Sequence, residues 1–307
     1  MSFIDKALER AKALQKQKSG GEVPPEAEAS SLRIPLTMRV APAEGETVPQ
    51  EINYHITRTV AVDPEVLRRH KLIVSGGEAE AAAAEGYKVL RTQILHRTKE
   101  QGHNTLLITG PLPGEGKTLT AINLAISIAR EVNQTVLLVD ADLRSPSVHS
   151  YFGLPARPGL VDHLTEGVPL TELLIHPRGL AKLVVLPGGR PAARAAELIN
   201  SPLMKDLVQD LKHFYPNRYV LFDLPPLLAY TDALVFAPLV DAILLVVEAG
   251  KTSRDDIERS QELLRKFNLL GYVLNKAEPS PQGYYQYQYA RTPKAAGKRK
   301  FKFPWVK

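Results

Sequence analysis

The sequence contains no cysteine. This absence excludes disulfides, thiolate metal sites and cysteine nucleophiles, and it is consistent with a reducing cytoplasm. The sequence also lacks a run of about 18 or more apolar residues, so we expect no transmembrane helix. The charged N-terminal stretch MSFIDKALERAKALQ has no apolar core and is therefore not expected to be a secretory signal.

Acidic residues are absent from the C-terminal stretch 291–307, which contains seven Lys and Arg residues. Without this stretch the chain has 32 basic residues against 33 acidic ones, a net charge of −1. A near-neutral body argues against a nucleic-acid-binding surface on the domain itself, and we expect no nucleic-acid partner.

Composition divides the chain into four parts. Residues 1–16 predict an amphipathic helix, and residues 17–60, rich in proline and without periodicity, predict a flexible linker. Residues 61–278 alternate apolar strands with helices and predict one domain. Residues 279–307 return to Pro, Gly, Gln, Tyr and Lys and predict a flexible tail, first Tyr-rich and then basic.

Near-continuous apolar strands that alternate with helices are typical of a parallel sheet covered on both faces. We therefore predict a doubly wound, mostly parallel α/β sheet. Residues 51–80 leave the assignment open, with a strand at 53–61 and a short helix at 63–70 as one interpretation. The predicted strands are 106–108, 136–139, 183–186, 220–222, 242–247 and 272–274, and the predicted helices are 81–99, 117–131, 202–214 and 253–267, the last capped by Thr252.

The stretch TGPLPGEGKT, residues 109–118, follows an apolar strand and opens an amphipathic helix. That is the context of a phosphate-binding loop and of a P-loop NTPase architecture. The match is not strict, because Pro111 stands where the general pattern has glycine. The alternative is a Gly/Pro turn with a solvated lysine. The residues predicted to contact ATP are Gly110, Gly114, Glu115, Gly116, Lys117, Thr118 and Leu119, of which Thr118 would also bind Mg²⁺.

Carboxylates end two of the predicted strands. Asp140 and Asp142 lie in VLLVDADLRSP, and Asp223 lies in YVLFDLPP. Ligands of doubly wound sheets bind at the carboxyl ends of the strands, where such groups can bind Mg²⁺ or accept a proton from an attacking hydroxyl. Asn275, after the last strand, could contact adenine. The alternatives are solvated acids and, for Asn275, a simple turn.

The phosphate loop, the Asp-x-Asp-x-Arg strand end and the Asp-x-Pro-Pro strand end resemble, in this order and spacing, the bacterial tyrosine kinases (BY-kinases). These are cytoplasmic autokinases of exopolysaccharide and capsule export. EGYKVLRT (85–92), LPGG (186–189) and AELINSP (196–202) also resemble stretches of that family. The N-terminal helix and proline-rich linker resemble the stand-alone kinases of exosortase-linked loci.

The resemblance implies roles for individual residues. Lys117, with Asp140, Asp142 and Asp223, would be catalytic, with Asp140 as the base or metal partner and Asp223 as a second metal partner beside Thr118. A helix carrying Glu85, Lys88 and Arg91 would build a ring-shaped oligomer. Lys88 stands where the family usually has Arg, which would weaken the ring because Lys lacks the bidentate fork of Arg.

The resemblance also explains a tyrosine cluster in GYYQYQYAR, which holds four of the eleven tyrosines of the chain. Tyr284, Tyr285, Tyr287 and Tyr289 would be phosphorylated by a neighbouring subunit. The implied partners are a membrane-embedded chain-length or co-polymerase protein, which would activate the kinase at the inner face of the membrane, and a counteracting tyrosine phosphatase.

Two other functions fit similar motifs. The first is a septum-positioning or plasmid-partition ATPase acting as a nucleotide switch. Those relatives carry a signature lysine early in the loop, where this chain has Leu112. The second is a nucleotide-binding scaffold with weak catalysis. The tyrosine cluster and the missing early lysine favour the kinase.

Overall fold

The computed structural model describes residues 57–277 except 75–77, 157, 215 and 216. The predicted N-terminal helix, nearly all of the predicted linker and the predicted tail lie outside the described residues. Within the described part of the chain, no helix has the length and apolar character needed to cross a membrane.

Eight strands form one sheet with the order β1-β4-β5-β3-β6-β2-β7-β8. Neighbouring strands are parallel except β4 and β5, which are antiparallel. The prediction of a mostly parallel sheet is thus confirmed. The strands are β1 (Arg58–Val60), β2 (Thr105–Thr109), β3 (Thr135–Asp140), β4 (Ile175–Pro177), β5 (Leu183–Leu186), β6 (Arg218–Asp223), β7 (Ala242–Glu248) and β8 (Leu269–Asn275).

Helices cover both faces of this sheet. The helices are α1 (Pro64–Arg69), α2 (Glu78–Lys99), α3 (Lys117–Ala129), α4 (Val148–Tyr151), α5 (Leu160–Glu166), α6 (Leu170–Leu173), α7 (Ala195–Ile199), α8 (Pro202–Phe214), α9 (Asp232–Phe236) and α10 (Arg254–Leu264), with a 3₁₀ turn at Ala237–Leu239. Leu106 and Ile108 of β2 pack towards α2 and α3, whereas Leu107 packs towards α8, α9 and α10. Alternate residues of an apolar strand therefore serve two separate cores, as expected for a doubly wound sheet.

Helix α3 is buried on nearly all sides, which gives the preceding loop a fixed base. Eleven of its thirteen residues are buried. The Asn123 side chain of α3 accepts a hydrogen bond from Ile73 N (3.1 Å) and donates one to Lys71 O (3.2 Å). Ser127 donates to Tyr87 O of α2 at 3.2 Å. These bonds hold the first turns of the domain against the helix that begins at the phosphate loop.

The observed elements differ from the predicted ones at their ends. β1 lies in the last residues of the predicted linker, so the sheet begins before residue 61. Helix α10 begins one residue later and ends three residues earlier than predicted, and its cap is Ser253, whose hydroxyl accepts from Asp256 N, not Thr252. Strand β4 and several helices of four or five residues were not predicted individually, because such short elements show no periodicity.

Candidate active site

The stretch predicted to bind phosphate joins β2 to α3. Gly114 and Gly116 have φ angles of 82° and 88°, in the left-handed region that favours glycine. A Cβ atom at Gly116 would overlap the Asn275 side chain, and one at Gly110 would overlap Val246 O. The loop therefore needs glycine at these positions, and α3 directs the free N–H groups of its first turn towards the space inside the loop.

Lys117 is folded back over the loop. Its Nζ donates to Leu112 O at 2.8 Å, and the residue is only 8% exposed. Burial lowers the pKa of Lys117, while the negative charges of Glu115, Asp223 and Asp142 act in the opposite direction. Lys117 thus lies near the carboxylates of Glu115, Asp142 and Asp223 at the centre of the site. Thr118, the next residue, contributes a hydrogen bond to Asp223.

Glu115 holds the loop through its side chain, a role that the sequence did not reveal. Its Oε2 accepts from Leu112 N at 2.8 Å, and its Oε1 accepts from the Thr252 hydroxyl at 2.7 Å. The residue is 2% exposed, and burial raises its pKa. Leu119, also predicted to contact the nucleotide, is half-buried and packs its side chain against the core.

The end of β8 also holds the loop. Asn275 Nδ2 donates to Glu115 O at 2.8 Å, and Lys276 Nζ donates to Gly114 O at 2.8 Å. Lys276 also pairs with Glu248 at 3.1 Å and has a φ of 56°, which is uncommon for a residue other than glycine. The Asn275 side chain, predicted to be near adenine, thus contacts the backbone of the phosphate loop.

Asp140 and Asp223 stand side by side at the carboxyl ends of β3 and β6, where they are register partners. They are 0% and 1% exposed. Asp140 Oδ2 accepts from Ser147 N (2.9 Å) and Val148 N (3.0 Å). Among the described residues, Asp140 Oδ1 and Asp223 Oδ2 have no hydrogen-bond partner.

The two carboxylates have perturbed pKa values. Burial, and then the charge of Asp223, holds the pKa of Asp140 well above its usual value. Burial raises the pKa of Asp223 to about 7. Unpartnered buried oxygens are uncommon in folded proteins and require an explanation, such as a catalytic role or a bound ion.

Asp142 differs from these two in exposure. It is half-buried, and its Oδ1 accepts from Ser145 N at 3.0 Å. Burial raises its pKa, and the charge of Lys117 acts in the opposite direction. Of the three predicted carboxylates, Asp142 is therefore the one that a molecule arriving from solvent can reach.

The carboxylates fit a magnesium ion that is shared with a nucleotide. Within the described ranges, no group of three or more His, Asp or Glu residues could hold a metal ion by protein ligands alone. Magnesium in nucleotide enzymes usually takes one or two carboxylates and completes its shell with phosphate oxygens and water. The free oxygens of Asp140 and Asp223, together with Thr118, match that donor set.

Beside the site, Arg144, Asp232 and Tyr230 form a second cluster of side chains that the sequence did not predict. Arg144 forms a bidentate ion pair with Asp232, with 2.7 Å from Nε to Oδ2 and 2.9 Å from Nη2 to Oδ1. Its guanidinium lies 4.4 Å from the centre of the Tyr230 ring. Only the arginine belonged to a motif visible in the sequence, because its partners follow about 90 residues later.

The residues predicted to build a ring lie on α2 as expected but do not act alike. Lys88 and Glu85 pair with each other at 2.9 Å and are half exposed. Arg91 turns inward, with 17% of its side chain exposed, and contacts Glu131 (2.7 Å) and Ser127 O (3.1 Å). The predicted acceptor tyrosines lie outside the described residues.

Comparisons with known proteins agree with this geometry. Residues 106–299 match the family model of the CobQ/CobB/MinD/ParA nucleotide binding domain. Tyrosine-protein kinase YwqD of Bacillus subtilis (strain 168) is 33% identical over 72% of this chain and 92% of its own length. The putative tyrosine-protein kinase EpsB of Ralstonia nicotianae is 31% identical over 73% of this chain, but the match spans only 30% of EpsB. The kinase domain of the Escherichia coli tyrosine kinase ETK has a TM-score of 0.60 and 27% identity, covering 77% of this chain and 98% of that domain.

Proposed function

The chain belongs to the bacterial protein-tyrosine kinases of the CobQ/CobB/MinD/ParA nucleotide-binding family, and from this premise we propose that it phosphorylates its own C-terminal tyrosines in trans. The donor is ATP, and the acceptors are Tyr284, Tyr285, Tyr287 and Tyr289 of a neighbouring subunit. The observation that carries the proposal is the phosphate loop beside three carboxylates, two of which have an oxygen without a partner among the described residues.

The phosphate loop binds the donor. Its N–H groups and the N-terminus of α3 surround the phosphates. When the nucleotide binds, Lys117 Nζ gives up its hydrogen bond to Leu112 O and donates to phosphate oxygens instead. The Glu115 side chain does not contact phosphate in this proposal, because its negative charge repels phosphate and its oxygens accept from Leu112 and Thr252; its backbone N–H belongs to the loop that surrounds the phosphates. The side chain keeps the loop in shape.

Thr118, Asp140 and Asp223 would hold Mg²⁺, which supplies charge neutralisation on the transferring phosphoryl group. The burial of Asp140 and Asp223 excludes water from the metal side of the site. Asp140 suits metal binding better than proton abstraction, because one oxygen is fixed by Ser147 and Val148 and the residue is inaccessible to an acceptor.

Asp142 is the base in this proposal. It is half-buried, and its raised pKa brings it closer to working pH, where a general base is most effective. As the phenol oxygen forms its bond to the γ-phosphorus, the bond to the leaving ADP oxygen breaks and the phenol proton passes to Asp142. Beyond this proton transfer, catalysis requires the protein to position the phenol and the γ-phosphate and to stabilise the negative charge on the transferring group.

The cellular role follows from the same family. We propose that phosphorylation regulates exopolysaccharide chain length or export, that the subunits form a ring through α2, and that a membrane co-polymerase protein activates and recruits the kinase while a tyrosine phosphatase reverses the reaction. Each phosphate adds about −1.5 to −2 charges beside the seven cations of 291–307 and loosens the ring. The narrower likeness to exosortase-linked kinases stays a prediction, because residues 1–56 lie outside the described part.

The test is mass spectrometry of the C-terminal peptide after incubation with Mg·ATP, with and without the cytoplasmic fragment of an activator. Lys117→Met should abolish phosphate on the four tyrosines, whereas the exposed Lys266→Met, the same change on the surface, should not. ATP hydrolysis with an unmodified tail, even with the activator, would instead support the positioning or partition ATPase.

A further inference from the structure

Tyr230 stands at the rim of the site, and the mechanism above does not use it. The loop after β6 is buried from Leu224 to Leu227, but residues 229–231 form an exposed tip. Tyr230 is 43% exposed there. An exposed aromatic ring at this position can contact a molecule that enters the site.

The ring is held in a fixed orientation. Arg144 lies under it, at 4.4 Å from its centre, and Arg144 is itself fixed by the bidentate pair with the fully buried Asp232. Two nitrogens of the guanidinium serve that pair. Its third, Nη1, has no protein partner within the described residues. Arg144 therefore covers one face of the Tyr230 ring, and its Nη1 remains able to donate a hydrogen bond to another molecule.

The loop that carries this ring is attached directly to the phosphate loop. Leu227 N donates to Gly110 O at 2.9 Å, and Leu228 N donates to Pro111 O at 3.1 Å. Arg144 follows the proposed base, Asp142, by two residues, and the charge of Asp142 raises the pKa of Arg144 alongside the larger effect of Asp232. The ring and the donor thus border the side of the site where an acceptor approaches Asp142.

We propose that Arg144 and Tyr230 form an acceptor platform on which the incoming tyrosine stacks before transfer. This inference rests on the proposed autokinase function. The acceptor ring packs on the exposed part of Tyr230, and Arg144 Nη1 donates to the phenol oxygen. Aromatic rings prefer offset or edge-to-face contacts with one another, so the platform favours tyrosine over serine or threonine.

The experiment measures steady-state transfer from Mg·ATP to a synthetic peptide of residues 283–291, GYYQYQYAR, by the full-length chain. Tyr230→Ala and Tyr230→Leu should raise the KM for the peptide about 3- to 10-fold, the effect of losing one aromatic contact, with little change in the KM for ATP. Tyr230→Phe keeps the ring and should restore the KM to within about twofold. Tyr272→Ala is the matched control, because Tyr272 is also 43% exposed but lies on β8.

Three results would overturn the platform. One is a peptide KM for Tyr230→Leu equal to that of the unmodified chain. Another is a parallel rise in the KM for ATP together with a lower melting temperature, which would make Tyr230 structural. The third is phosphate on Tyr230 itself that is lost in Tyr230→Phe, which would make it an acceptor. Failure of the unmodified chain to phosphorylate the peptide or its own tail, even with the activator fragment present, would instead refute the proposed function.

Discussion

The two ends of the sheet bury carboxylates in opposite ways. At the amino ends of β2 and β7, Asp241 accepts hydrogen bonds from Asn104 N (3.0 Å), Thr105 N (3.1 Å) and the Thr105 hydroxyl (2.8 Å), and it pairs with Lys212. At the carboxyl ends, Asp140 and Asp223 each keep an oxygen without a partner in the described structure.

The pKa values of Asp241 and Asp223 differ in the direction that these hydrogen bonds predict. Burial alone raises the pKa of Asp241, but its hydrogen bonds, first that from Lys212, outweigh burial and leave the pKa below its usual value. Burial raises the pKa of Asp223 to about 7. Asp241 thus has partners for both of its carboxylate oxygens, whereas Asp223 keeps one oxygen without a partner in the described structure. The comparison predicts that replacing Asp223 by Asn and replacing Asp241 by Asn will change the free energy of unfolding in opposite directions.

The largest expected effect is on activity at Asp223. Asp223→Asn should lower the rate of phosphoryl transfer at least about 100-fold, because it removes a charge placed for the transition state. At pH 8 it should also raise the free energy of unfolding of the nucleotide-free chain by about 1 kcal/mol or more, since it removes a buried charge whose Oδ2 has no partner in the described structure. Urea unfolding and the transfer assay check the two parts. Asp210→Asn, an exposed change on α8, is the control, and a destabilised Asp223→Asn would break the comparison.

Asp241→Asn should have the reverse effect. It leaves Lys212 without its partner and weakens the bonds to Asn104 and Thr105, so we expect a loss of about 2 kcal/mol in the free energy of unfolding. The affinity for Mg·ADP should stay the same, because Asp241 lies at the other end of the sheet. Urea unfolding and calorimetric titration are the measurements. A loss of nucleotide affinity without a loss of stability would contradict the assignment.

Stability should depend on pH with opposite signs at the two ends. The folded pKa of Asp241 is below the unfolded value, so its contribution is present above about pH 4 and is lost as the pH falls further. The folded pKa of Asp223 is raised, so the unfolded chain ionises first and stability falls as the pH rises from about 4 to about 7. Melting curves from pH 3 to 8 should show a shallower first slope in Asp241→Asn and a shallower second slope in Asp223→Asn, in which Asp140, whose pKa is also raised, still contributes. Unchanged slopes in these variants would assign the pH dependence to other groups.

The smallest expected effect concerns the loop itself. Thr252→Val removes the hydroxyl that donates to Glu115, so we expect about a 3- to 10-fold rise in the Kd for Mg·ADP, the effect of one hydrogen bond of about 1 kcal/mol. Ser253→Ala, the neighbouring cap of α10, should lower stability by about 1 kcal/mol without affecting the Kd. Equal Kd values in the two variants would mean that Glu115 needs no support from Thr252.

The candidate site residues that the sequence singled out are local in the chain. The phosphate loop and the strand-end aspartates stand within single strand–turn–helix units, where apolar runs and glycine spacing are sufficient. The side-chain role of Glu115 depends on Thr252, and the position of Tyr230 depends on Arg144, about 90 residues earlier. Such contacts come from the order of strands in the sheet, which one sequence does not display. The exposure that distinguishes Asp142 from Asp140 likewise needs the packed structure.

The contacts from Asn275 and Lys276 to the phosphate loop have a consequence for biosynthesis. These residues bond to Glu115 and Gly114 across separations of 160 and 162 positions. The loop is therefore translated early but completed only after β8 has left the ribosome and joined the sheet. A nascent chain that stops before β8 contains every residue of the loop, yet we expect it to bind Mg·ADP weakly, which ribosome-stalled chains of increasing length would test. We therefore expect tight nucleotide binding only from nascent chains in which the last strand has joined the sheet.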